Sequence, residues 1–109
     1  MVEKQAKQAE WVTFTPGGRR RIVVDGEKLM NVEVTLEKGT VVAPHKHPHE
    51  QSTYIISGEV EFTISEQKTL VKAGQAIHIP SDAVHGVIAH EATVLLDSFS
   101  PPREDFRPK

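Results

Sequence analysis

The run Gly39-Thr40-Val41-Val42-Ala43-Pro44-His45-Lys46-His47-Pro48-His49-Glu50-Gln51-Ser52-Thr53-Tyr54-Ile55-Ile56-Ser57-Gly58 decides how this chain is read. Glycines bracket it, and Val, Ile and Thr, which suit pleated and half-buried backbone, fill its two ends. His45 and His47 are two residues apart. On extended backbone, residues i and i+2 project to the same face, so the two imidazoles converge on one point. Gln51 follows with the same even parity, and His85 lies further along, after the turn Pro80-Ser81-Asp82. Three neutral imidazoles and one amide oxygen make a workable ligand set for a divalent transition metal. On spacing alone, His45 and His47 read equally well as two exposed polar residues beside a proline loop.

Outward from this run, breakers recur at short intervals: Pro16-Gly17-Gly18, Asp25-Gly26, Lys38-Gly39, Ala73-Gly74 and Pro80-Ser81-Asp82. Between them, Met30, Val32, Val34 and Leu36 alternate with Asn31, Glu33 and Thr35, and Val60, Phe62 and Ile64 alternate with Glu59, Glu61 and Thr63. Residues 93–99 form another such run. Period-two patterning broken by regular turns predicts an antiparallel sandwich or small barrel. Residues 55–62 read as a hairpin with Ser57-Gly58 as its tight turn, and Ser65-Glu66-Gln67-Lys68 as a second turn. At most a frayed helical turn is expected within residues 2–11. The tail, residues 100–109, holds three prolines and so cannot be an interior strand, because proline lacks the donor a ladder needs. It is expected to lie over the surface or across an opening.

A chain of 109 residues is expected to form one domain, residues 1–109. Its 38% hydrophobic and 26% charged residues fit a soluble globular protein. The net charge of −2 lacks the basic excess that binding a polyanion requires, so no nucleic-acid partner is expected. The absence of Cys excludes disulfides, thiolate metal sites and thiol nucleophiles. No apolar stretch suits a membrane span or a leader, which makes the cytoplasm the expected compartment. Of the other histidines, His49 reads as solvated or as a support for the ligands. His78 reads as a hydrogen-bonded structural residue, and His90 as a surface loop residue. Arg19-Arg20-Arg21 reads as a solvated turn and strand start. Trp11, Val12 and Phe14 either pair with a partner's sheet or cap their own barrel.

Gly39, His45, His47, Gln51 and Gly58, followed by Gly74, Pro80 and His85, together resemble the two motifs of the cupin superfamily, at 39–58 and 74–89. Gln51 stands where that family usually has Glu, Asp82 where Gly is common, and Ala89 where Asn is common. The resemblance implies an all-β double-stranded β-helix, a jelly-roll barrel, with His45, His47, Gln51 and His85 as ligands of one divalent ion. Nickel, zinc, iron and manganese are not distinguished by this set. It also implies a homodimer.

The ending Leu96-Asp97-Ser98-Phe99-Ser100-Pro101-Pro102-Arg103-Glu104-Asp105-Phe106 is similar to that of small single-domain cupins of the pectin-degradation (KdgF) type. Members of that group turn 4,5-unsaturated monouronates into linear keto forms. Their implicated residues map onto Asp97, Phe99 and Arg103. The resemblance therefore implies an isomerase or lyase-like enzyme acting on an acidic sugar. Asp97 would transfer protons, Phe99 would shape the pocket, and Arg103 would hold a carboxylate. On residue type alone, Asp97 also fits a turn or salt bridge, Phe99 plain core packing, and Arg103 a surface pair with Glu104 or Asp105. Two other functions stay open: a non-catalytic module that binds or senses an acidic ligand, and a metal-dependent dioxygenase.

Overall fold

The computed structural model describes residues 9–108. Its strands are β1 (Val12–Thr15), β2 (Gly18–Asp25), β3 (Met30–Leu36), β4 (Val41–His45), β5 (Glu50–Ser57), β6 (Glu59–Ile64), β7 (Gln67–Lys72), β8 (Ala76–Ile79), β9 (His85–Ala89) and β10 (Thr93–Ser100). All pair antiparallel in two sheets, a larger one ordered β1-β2-β3-β10-β5-β8 and a smaller one ordered β4-β9-β6-β7. This is the expected all-β jelly roll. A single-turn 3-10 helix, Glu104–Phe106, follows β10. No helix among the described residues is long and apolar enough to cross a membrane.

Alternation places the core. Met30, Val32, Val34 and Leu36 of β3 face inward and are buried, against Leu95 and Phe99 of β10 and Ile55 of β5. Val60 and Phe62 of β6 and Val71 of β7 meet them from the smaller sheet. Each such side chain contributes about 1.5–3 kcal/mol by leaving water.

Ser57-Gly58 does not close a hairpin. β5 pairs with β10 and β8, whereas β6 pairs with β7 and β9, so the chain crosses between sheets here. Gly58 has φ +98°, and a Cβ on it would lie 2.4 Å from both the Ala92 carbonyl oxygen and Thr93 Oγ1. The true hairpin is β6–β7. Ser65 and Glu66 form its two-residue loop, both at positive φ as a type I′ turn requires.

The expectation for residues 2–11 falls mostly outside the described residues, and residues 9–11 are not helical. β1 pairs with β2 of its own chain, Trp11 lies against Arg19 and Arg21, and Phe14 reaches the interior cavity. Phe14 thus packs into its own barrel, whereas Trp11 lies on the outward-facing arginines of β2. The tail crosses the opening between the sheets: Pro102 is buried, Phe106 meets Phe99 edge-on at 5.7 Å, and Arg107 grips Asp25 at the end of β2.

Candidate metal centre

His45 ends β4 and His85 begins β9, directly opposite one another in the antiparallel pair, with ring centroids 4.3 Å apart. His47 lies in the loop between β4 and β5, buried, with its ring 5.0 Å from that of His85. One nitrogen from each of the three rings lies within 4.8 Å of the others. The neighbouring loop is tied in by the Asp82 N–H, which donates to the His47 carbonyl at 2.9 Å. Asp82 sits at φ +64°, which explains why glycine suits that position.

Main-chain carbonyls set the ring tautomers. Nδ1 of His45 faces the Ala43 carbonyl at 3.0 Å, Nδ1 of His47 that of His49 at 3.1 Å, and Nδ1 of His85 that of Ala83 at 2.9 Å. A carbonyl only accepts, so each Nδ1 carries the proton and each Nε2 offers a lone pair. Burial, ahead of any other influence, lowers the pKa of His47, and it lowers that of His85 to about 4. Both rings are therefore held neutral, as ligands must be.

Gln51, on β5, completes the group. Its Nε2 donates to Asp97 Oδ1 at 3.1 Å and to Thr53 Oγ1 at 3.0 Å. That fixes the amide so that Oε1 points at His47 Nε2, 3.0 Å away. Two lone pairs then face each other across a buried gap. Nε2 of His85 is buried with no hydrogen-bond partner among the described residues. A buried acceptor without a donor is costly, and a cation held between these atoms would satisfy all of them. The donor set of three imidazoles and one amide oxygen fits a divalent transition metal.

Asp97 lies mid-strand in β10 and faces inward with Leu95 and Phe99. Thr53 Oγ1 donates to its Oδ1 at 2.5 Å. Burial raises its pKa to about 6, against the opposing pull of Thr53, Gln51 and Arg103. A carboxyl so placed exchanges protons near neutral pH. The same geometry explains Gln at position 51. A Glu there would face Asp97 with a second carboxylate in place of a donor, besides halving the charge of a bound ion.

These groups open onto a cavity of about 300 Å³ between the sheets. Phe99 is buried, belongs to the core, and also forms part of the cavity wall. Arg103 both lines the cavity and pairs with Asp105, through Nε at 3.1 Å and Nη2 at 2.9 Å. Its side chain is only 12% exposed, so it is no ordinary surface pair. Arg20 corrects the reading of its arginine run as solvated. It lines the cavity beside Phe14 and Phe106, at the inward-facing position of β2 between Gly18 and Ile22. That parity was the available signal, as was the parity of Thr53 with Gln51. His49 lends its carbonyl to His47, whereas its own Nδ1 is buried without a partner among the described residues. His78 is exposed and bonded to Glu50, and His90 is exposed and bonded to Glu61.

A two-sheet antiparallel barrel with an imidazole cluster inside its mouth defines a cupin. The chain belongs to that family, since the Cupin domain model matches residues 32–99. More particularly, it is 37% identical over 101 residues to the pectin degradation protein KdgF of Dickeya dadantii, covering 91% of this chain and 92% of that one. The structure of KdgF from Halomonas sp. superposes with a TM-score of 0.86 at 34% identity, covering 90% of this chain and 91% of that chain. An RmlC-like cupin from Shewanella frigidimarina superposes with a TM-score of 0.83 at 27% identity, covering 98% and 94% respectively.

Proposed function

We propose that this cupin opens and ketonises 4,5-unsaturated monouronates released from pectin or alginate, with His45, His47, Gln51 and His85 holding one divalent metal ion. The observation that carries this is the adjacency of Asp97 to the metal-facing amide. Gln51 offers its oxygen to the imidazole cluster and its nitrogen to the Asp97 carboxylate. A proton-transfer group thus stands beside the imidazole cluster, in a cavity walled by arginine and phenylalanine. The likeness to KdgF proteins in both sequence and fold supports the substrate class.

An unsaturated pyranuronate carries a hemiacetal at C1 and an enol ether joining C4, C5 and the ring oxygen. Asp97 takes the C1 hydroxyl proton. The bond between C1 and the ring oxygen then breaks, leaving an aldehyde at C1 and an enolate across C4, C5 and the former ring oxygen. Returning the proton to C4 gives the C5 ketone, and atoms and charge balance without an oxidant. A divalent ion held by His45, His47, Gln51 and His85 would supply positive charge that stabilises negative charge developing on the substrate. Thr53 and Gln51 hold Asp97 in place by their hydrogen bonds, and Arg103, held by Asp105, adds positive charge to the wall that the substrate carboxylate approaches. Phe99 and Phe106 keep water from the reacting atoms.

The test is turnover of unsaturated galacturonate, followed by loss of the ultraviolet absorbance of its conjugated double bond and by appearance of the linear product. Catalytic conversion by metal-loaded protein is expected. Thermal stabilisation by the sugar with no conversion would mark a binding module instead, and oxygen uptake would mark a dioxygenase.

A further inference from the structure

Two guanidinium groups face the cavity, and they differ in what already occupies them. Arg103 has its Nε and Nη2 engaged side by side on the Asp105 carboxylate. Its planar fork is filled, and its charge is largely answered from within the chain. Arg20 has no hydrogen bond or ion pair among the described residues. Its guanidinium lies 4.0 Å from the centre of the Phe106 ring and 5.6 Å from that of Phe14. Arg103 lies 4.2 Å from the same Phe106 ring. One aromatic platform therefore carries both cations at the cavity wall.

The position of Arg20 is built into the strand. In the β2–β3 ladder, Gly18, Arg20 and Ile22 stand opposite Leu36, Val34 and Val32, all three of which are buried. Arg20 is thus an inward-facing residue where an aliphatic side chain would satisfy the core. Burial lowers its pKa; the nearby Asp105 carboxylate opposes that without bonding to it, and Arg103 adds a smaller lowering. A partly buried cation without an acceptor is stabilised when an anion arrives. Asp97, the acid on the cavity wall, is committed to Thr53 and Gln51.

We propose that Arg20 forms, with the Phe106 platform, the principal carboxylate-binding subsite of the cavity, and that Arg103 acts beside it as a partner pre-oriented by Asp105. This rests on the uronate reading for the identity of the natural ligand. The subsite itself is defined by its chemistry, a planar carboxylate on a sugar-sized molecule. Arg20 touches the anionic end of the ligand and takes no part in moving protons.

The experiment is calorimetric titration with galacturonate, a saturated sugar acid that undergoes no ring-opening of this kind, and with galactose, which lacks the carboxylate. Wild type, Arg20→Gln, Arg20→Lys and Arg103→Gln are each titrated both metal-loaded and metal-free. Wild type is expected to prefer galacturonate over galactose. Arg20→Gln is expected to lose about tenfold or more in galacturonate affinity, with galactose binding and metal content unchanged. Arg20→Lys, which keeps the charge and the stem but not the planar fork, is expected to fall between them. Its intermediate affinity decides the matter should the Gln variant fold poorly. The proposal is overturned if Arg20→Gln binds galacturonate within twofold of wild type, if Arg20→Lys binds no better than the Gln variant, or if wild type does not discriminate between the two sugars. In the turnover assay, Arg20→Gln is expected to raise KM with little change in kcat. If wild type fails to convert unsaturated galacturonate, the uronate reading falls, and the galacturonate–galactose contrast still judges Arg20 on its own.

Discussion

The two sheets serve the site in different ways. The smaller sheet supplies His45 and His85 from facing strands, each ring fixed by a main-chain carbonyl two residues earlier. The larger sheet supplies Gln51, Thr53, Asp97, Phe99 and Arg20, which interact chiefly through side chains. One face is a rigid set of lone pairs, and the other is a relay in which each donor depends on its neighbour. His47, in the loop between β4 and β5, touches both. On the proposed function, the separation implies that holding an ion and moving a proton can be damaged independently.

The largest break in that division should come from His85→Ala. It removes a proposed ligand whose Nε2 has no hydrogen-bond partner among the described residues, so metal should be lost on dialysis and turnover should vanish, as read by elemental analysis and the sugar assay. Asp97→Ala should leave the metal in place while lowering kcat by about a hundred- to ten-thousandfold, the usual range for a general acid or base. Metal loss in this variant would show that the two duties are not separable. Gln51→Glu should keep or tighten metal binding and still lower turnover by about ten- to a hundredfold, because a carboxylate would replace the donor to Asp97. Thr53→Val removes one hydrogen bond to Asp97 at nearly constant volume. A smaller fall in kcat, about tenfold, is expected with the metal content unchanged. At the junction of the sheets, Gly58→Ala should leave the chemistry intact and cost about 2 kcal/mol of stability, seen as a fall of roughly 8–16 °C in Tm.

Much of this architecture was legible from local patterns. The alternation in β3 and β6 and the inward parity of Asp97 and Phe99 survive folding, because period two is a property of the strand itself, whereas His45, His47 and Gln51 meet across the loop between β4 and β5 rather than along one extended strand. What was illegible depended on partners remote in sequence. Ser57-Gly58 has the composition of a hairpin turn, yet β5 and β6 find their neighbours in β10 and β9, so the turn became a corner. The run Arg19-Arg20-Arg21 has the residue type of solvated charge. Only the pairing of Arg20 opposite Val34 reveals that it points inward. Thr53 carried no chemical signature at all until Asp97 was brought against it.

Arg107 holds Asp25 by its Nε and Nη2, anchoring the tail at the far end of β2 from outside the sheets. The residues that close the cavity, Arg103 and Phe106, therefore hang between a strand end and a surface clasp rather than within a ladder. Such a strap is exchangeable. Grafting another segment of six residues between β10 and the same clasp would, on the proposed reading, re-tailor which sugar acid is admitted while leaving the barrel and its imidazoles untouched.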